Sequence, residues 1–303
     1  MVTPGEIPDW LRPLYPFTPR AFTTSRGARM SYLDEGPRGD EAVLMLHGNP
    51  TWSFYYRELV SAIAPALRCI VPDHIGMGLS EKPQDYPYTL ATRVDDVAAL
   101  VASLGLKKIH LVVHDWGGAI GFGFAARRPE LIGRIVILNT AAFSSPHIPA
   151  RIALCKTKFP GTPLVRGLNA FAGPAAWMSM HRRKLTADER RGFLLPYGSW
   201  ANRVAVDAFV KDIPMDASHP SWPALAAAEA GLEYFRDRPA LIVWGGKDFC
   251  FHDWYFNEWR RRLPQAQAHH LADAGHYVLA DANAEAVPLA ADFLLTPAAG
   301  KAR

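Results

Sequence analysis

The stretch Ile109–Ala125, IHLVVHDWGGAIGFGFA, constrains the fold more than any other part of this chain. It opens with a mostly apolar, β-branched run, Ile109 to Val113, which reads as a buried strand. It breaks at His114-Asp115-Trp116-Gly117-Gly118, then resumes with Ala119, Gly121 and Gly123 among its small residues. A strand that turns abruptly into a small-residue helix is the setting of a nucleophile elbow, where one side chain stands on a strained turn above a sheet. Small residues let that helix close on the strand. The exposed position of such an elbow is most often Ser or Cys. Here it is Asp115.

The exchange alters the chemistry. A serine needs a base before it can attack, whereas a carboxylate is already an anion at neutral pH and can form an ester with substrate carbon directly. The bland alternative is an ordinary strand end, with Asp115 capping the helix that follows.

The surrounding chain favours a large α/β enzyme. Its 303 residues suit one large α/β domain or two smaller ones. Before Asp115, Ala21–Leu33 reads as an N-terminal hairpin around Ser25-Arg26-Gly27, and Ala42–Leu46 as a buried strand ending at His47-Gly48-Asn49-Pro50. Arg68–Pro72 is a further strand, and Tyr88–Leu106 carries Leu90, Val94, Val97, Val101 and Leu104 at helical spacing, closed by Gly105. Beyond the elbow, Arg134–Asn139, Ala240–Trp244 and His269–Leu271 complete the strands, and a last helix, about Ala284–Leu295, should hold Pro288 in its first turn or kink there. Continuous apolar strands separated by helices predict a mainly parallel sheet with helices on both faces. Residues 141–230 break that rhythm with Pro, Trp, Phe and helix-like runs. They are expected to form a helical cap inserted into a core of residues 1–140 and 231–303.

Charge and cysteine usage exclude other classes. A net charge of +4 is small for this length, and the clusters His181-Arg182-Arg183-Lys184 and Arg260-Arg261-Arg262 are read as solvated helix faces, not a nucleic-acid surface. Cys69, Cys155 and Cys250 fit reduced cytosolic thiols better than disulfides or a metal site. The N-terminus, MVTPGEIPDWLRPLYPFTPR, lacks the pattern of a signal peptide, and no stretch approaches the ~20 apolar residues of a membrane span. The expectation is a cytoplasmic protein without metal or cofactor, its proline-rich N-terminus a conceivable docking arm.

In an open α/β sheet, functional groups gather at the carboxyl ends of the strands. Four such ends offer Asn49, Asp115 with Trp116, Asp248 and His276. Nucleophile, acid and histidine then follow the chain order of the α/β-hydrolase triad, with Asp replacing Ser. His276 would be the base and Asp248 its orienting partner. Backbone N–H groups near Asn49 and Trp116 would make an oxyanion hole, and the Asn amide and indole N–H, both neutral donors, could cradle a departing anion. Phe143, Phe171, Trp177, Phe209 and Trp222 are candidates to line an apolar cavity, or equally to form the core of the cap.

HGNPTW at 47–52, VVHDWGG at 112–118 and DAGHYVL at 273–279 resemble the haloalkane dehalogenase group of α/β-hydrolases. That resemblance implies Asp115 as nucleophile, His276 as base, Asp248 as its acid partner, and Asn49 and Trp116 as anion donors. With an amide at Asn139, the position after the earlier strand, Asp248 is the favoured acid. A nearer match runs through VPDHIGMGLSEKP (71–83), RVDD (93–96), LNTAAF (138–143), KDIP (211–214) and DRPALIVWGGKDFCF (237–251). These look like the β-lactone decarboxylases of bacterial long-chain olefin biosynthesis, which implies conversion of a cis-3,4-dialkyl-β-lactone to a cis-alkene and carbon dioxide, with pathway enzymes as partners. Haloalkane dehalogenation is the rival, and a non-catalytic ligand-binding protein on the same fold a further one. Epoxide hydrolases usually place two cap tyrosines over the epoxide oxygen, and Tyr197 is the only Tyr between Ala141 and Ala230.

Overall fold

In the computed structural model, which describes residues 7–296, eight strands form one sheet in the order β1-β2-β4-β3-β5-β6-β7-β8. They are β1 (Arg20–Thr23), β2 (Arg29–Glu35), β3 (Glu41–Leu46), β4 (Cys69–Pro72), β5 (Lys108–Asp115), β6 (Ile132–Thr140), β7 (Ala240–Gly245) and β8 (Gln267–Leu271). The first hairpin and the β2–β4 pair are antiparallel, and all other pairs are parallel. Strands β3, β5 and β6 lie at the centre, and almost every side chain along β3 and β5 is buried. Their apolar runs fit that position, because a central parallel strand has no solvent face.

Helices cover both faces, so the core divides into two apolar layers. One face carries α2 (Leu90–Ser103), α3 (Trp116–Arg127), α8 (Trp222–Ala230) and α9 (Asp253–Arg262), the other α1 (Arg57–Ile63) and α11 (Asn283–Leu295). Helix α2 starts where the Thr89 hydroxyl accepts the Thr92 N–H and stops at Gly105, whose φ of 63° is the left-handed conformation that ends helices. Pro288 lies in the second turn of α11, not its first.

Between β6 and β7 the regular elements are all helical, joined by irregular stretches: α4 (Ala150–Lys156), a π-helical turn (Pro163–Gly167), α5 (Ala172–Met178), α6 (Ala187–Leu194), α7 (Val204–Lys211) and α8, with short 3-10 turns among them. Helix α8 packs on α3, within the core layer, so the stretch before it supplies the roof over the strand ends. The roof is fastened from below: Arg57 of α1, buried, donates to Glu189 of α6 at 2.7 Å, and Glu189 also accepts from Arg183.

Two expectations change. His181–Lys184 is an irregular loop, not a helix face, with Arg182 paired to Asp273 and Glu285. Its backbone N–H groups are taken up by Asp281 of α10 (Val278–Asp281), which leaves no helical hydrogen bond to make. The N-terminal stretch, from Ile7 onward, is packed down as well: Ile7, Leu11, Tyr15 and Phe17 are buried beside α6 and the turn at Trp52–Tyr56. A free docking arm is excluded there, and residues 1–6 lie outside the described residues.

Candidate active site

The carboxyl ends of β3, β5, β6 and β7 and the loop after β8 converge on Asp115. Its backbone has φ 52° and ψ −126°, a conformation avoided by residues with a Cβ. Glycines make the turn possible. A Cβ on Gly117 would strike the Leu46 carbonyl, one on Gly118 the Thr140 hydroxyl, and one on Gly48 the Asp115 carboxylate itself. Thr140 anchors the turn by donating its hydroxyl to the Asp115 carbonyl.

The carboxylate does not cap α3 in the ordinary way. Its Oδ1 accepts the backbone N–H of Asn49 at 2.6 Å, and the backbone N–H of Trp116 also stabilises the charged carboxylate, so the group sits at the expected oxyanion hole. Oδ2 faces His276, whose Nε2 is 3.6 Å away. Behind the imidazole, Nδ1 lies 2.6 Å from Asp248 Oδ2. Asp248 is held by three further donors: the N–H groups of Cys250 and Phe251 and the amide of Asn139 at 3.0 Å. The His276 ring lies parallel to Phe251 at 5.7 Å and near His114 at 4.5 Å, while His114 Nε2 donates to the His276 carbonyl at 2.9 Å.

Burial governs the protonation of this cluster. It raises the Asp115 carboxyl above its ordinary range, with His276 and the two N–H donors pulling the other way. Burial also presses His276 down, but the charge and hydrogen bond of Asp248, then Asp115, outweigh it and leave the imidazole above its usual value. His47 and His114, buried with no carboxylate bonded to them, move the other way: burial lowers His47 to about 4 and His114 well below normal.

All five expected residues meet here, but Asn49 behaves differently from expectation. Its Nδ2 donates to the Val206 carbonyl at 3.0 Å and its Oδ1 is buried without a partner, so one amide hydrogen is already committed and the second remains for an anion. Trp116 lines the cavity and rests on Phe209 at 5.3 Å, with the Arg93 guanidinium 3.6 Å over the far ring. The cavity above Asp115, about 130 Å³, is walled by Phe143, Ile148, Phe171, Ile213 and Leu225 among others. Of the five aromatic candidates, Phe143 and Phe171 line it. Phe209 sits behind Trp116, Trp177 is 65% exposed, and Trp222 is absent from the walls. Tyr197 is buried against the Thr51 carbonyl, away from the cavity. Asn139 and His114 were missed as supports. A polar residue ending a strand beside Asp248 was the available signal for the first, and for the second there was none.

Residues 41–282 match the family model of the α/β hydrolase fold. The chain is 46% identical over 280 residues to a cis-3-alkyl-4-alkyloxetan-2-one decarboxylase of Shewanella oneidensis, covering 90% of this chain and 87% of the relative. It is 45% identical to the protein of that name from Xanthomonas campestris pv. campestris, covering 93% and 97%. Haloalkane dehalogenase 2 of Mycobacterium bovis is 31% identical, covering 78% of this chain and 81% of that one. Among solved structures, haloalkane dehalogenase DbeA from Bradyrhizobium elkani superposes with a TM-score of 0.80 at 28% identity, covering 92% and 97%.

Proposed function

Because the chain belongs to the α/β-hydrolase family and its haloalkane dehalogenase-like group, we infer that it is a β-lactone decarboxylase, converting cis-3-alkyl-4-alkyloxetan-2-ones to cis-alkenes and carbon dioxide. One observation carries the choice over dehalogenation: identity to the decarboxylases is 45–46% across nearly the whole chain, against 31% for the dehalogenase. The site supports either chemistry, since both begin with a carboxylate attacking an sp³ carbon.

Asp115 attacks the ring carbon bearing oxygen, forming an ester bond to Oδ2 as the ring C–O bond breaks and releases a carboxylate. Asn49 and Trp116, which line the cavity with Asp115, are the neutral donors that would receive that carboxylate. The bond to the carboxylate carbon then breaks, its electron pair becomes the alkene, and the pair of the ester C–O bond returns to Asp115. Inversion at the first step followed by anti elimination at the second preserves cis geometry. The sequence consumes no water. His276, whose charged form Asp248 favours, faces the carboxylate that Asp115 becomes again on leaving. In the dehalogenase alternative the same imidazole would instead activate water.

This reading places the protein in the cytoplasm, where its three free thiols would remain reduced. It makes residues 141–230 the cap, and implies partner enzymes that supply the lactone. The test is a side-by-side assay with a cis-dialkyl β-lactone and a long bromoalkane. Alkene with carbon dioxide is expected; bromide with alcohol alone would transfer the protein to the dehalogenases. Solvent oxygen-18 entering Asp115 at every turnover would rule out attack at the ring carbon without water.

A further inference from the structure

Two cavities, not one, reach the nucleophile. The larger, about 130 Å³, runs from Asp115 past Trp116 toward Val210, Ile213 and Met215. The smaller, about 70 Å³, runs from the same carboxylate past His276 toward Arg151, Cys155 and Met178. They share Asn49, Asp115, Ile152, Phe171 and Cys250, so Ile152 of α4 and Phe171 just before α5 stand where the two part.

We propose that the fork separates the two alkyl arms of a single substrate, the longer arm lying in the larger cavity and the shorter in the smaller. This rests on the lactone reading above. A cis-disubstituted four-membered ring carries its chains on adjacent carbons and on one side. The chains therefore leave the reacting centre close together and need either one wide channel or two divergent ones. The walls here provide two. Both branches are apolar, as hydrocarbon requires, and the polar groups are divided between them: Trp116 belongs to the larger branch and His276 to the smaller. A ring poised over Asp115 thus places its departing carboxylate beside Trp116 while His276 faces the attacking oxygen from the other side. An alkyl halide with a single chain would fill only one branch.

Two features fit this division. Arg151 Nη1 lies 2.8 Å from Met178 Sδ, bridging α4 to α5 at the outer end of the smaller branch. On the larger side, Lys156 donates to the carbonyls of Lys211 and Ile213, and Arg93 is paired with Asp212 at 3.3 Å, which fixes the strand of chain bearing Ile213 and Met215. Length selection then resides in Met178 and Cys155 for one arm and Met215 and Ile213 for the other.

The experiment uses two positional isomers of a cis-β-lactone, one with a long chain beside the carbonyl and a short chain beside the ring oxygen, the other with the chains exchanged. Met178→Trp and Met215→Trp, both at part-exposed positions, are compared with wild type, with Cys155→Leu as a second probe of the smaller branch. A lactone with two short chains reports that each variant keeps an assembled site. Since a single methylene in an apolar pocket changes kcat/KM by about 10-fold or more, each Trp variant should shift the isomer ratio of kcat/KM by at least that factor, in opposite directions. Ratios that stay constant or move the same way in both variants overturn the fork. Failure of the lactone reading looks different: wild type would turn over neither isomer.

Discussion

Asp115 holds three constraints at once: a left-handed backbone, a carboxylate pinned by two N–H groups, and a buried position that raises its pKa. The first two arrange the third for attack, since one oxygen is fixed and the other left facing His276 and the cavity. Asp115→Asn keeps the size and the N–H contacts and removes the charge, so alkene formation should fall by at least ~1000-fold while substrate still binds. Equilibrium binding of the lactone to the variant separates this from misfolding. Because protonation also disarms the nucleophile, and the folded pKa is raised, the acid limb of kcat/KM should fall above the ordinary aspartate value of 3.8, not at it. A limb at or below that value would mean the buried carboxylate is better solvated than its surroundings indicate. Asn139 is the second residue to test. It donates to Asp248 and to the Gly245 carbonyl and accepts the Gly245 N–H, so Asn139→Ala should cost about 2 kcal/mol in urea unfolding and lower kcat by loosening the acid behind His276.

At the scale of elements, α10 ties the segment bearing His276 to the roof. The Asp281 carboxylate accepts N–H groups from His181, Arg182 and Arg183 of the loop between α5 and α6 and from Gly275, the residue before His276. Asp281→Ala leaves four N–H donors without their acceptor, the one on Gly275 buried, with an expected loss of about 2 kcal/mol and a fall in kcat larger than any rise in KM. Asp281→Asn, which keeps an acceptor, should recover part of both; equal damage in the two variants would argue against this role. This fastening could not be read from sequence, because it joins residues a hundred positions apart and nothing in their local pattern marks them. The strands could be read, since apolar continuity is a local property: the expected strand at Ile109–Val113 is the centre of β5, and the last, at His269–Leu271, grew by only two residues. So could Asp115, Asp248 and His276, each of which ends a strand or follows one. Side-chain direction was the harder question. Trp177 and Phe171 both look like cap aromatics in sequence, yet one faces outward and the other lines the cavity, a difference set by how α5 lies on the core.

For the molecule as a whole, buried histidines make stability depend on mild acid. Burial lowers His47 to about 4, holds His74 and His114 well below the usual value, and lowers His110. Their folded pKa values lie beneath the unfolded value near 6.5, so below that pH the unfolded chain binds protons that the folded one refuses, and stability falls. Opposing this, burial raises Asp73 and Asp96 to about 6 each, so the folded state takes up those protons before the unfolded chain does and is favoured as pH drops. His276, raised by its two carboxylates, works in the same sense. In this window the four depressed histidines each take up a proton on unfolding while Asp73, Asp96 and His276 only partly offset them, so the expected balance is a net proton uptake near pH 6 and a stability that falls as pH drops. Below pH 4.5 a further loss begins, because Glu189, lowered to about 2 by Arg183, the Thr186 N–H and Arg57 against the pull of burial, contributes stability that disappears as pH falls through that value. Urea midpoints at pH 7.5, 6.5 and 5.5 should therefore drop progressively. A flat profile across that range would mean that the histidines beneath the sheet ends reach water in the folded protein, and the dry, preorganised floor on which Asp115 stands would have to be abandoned.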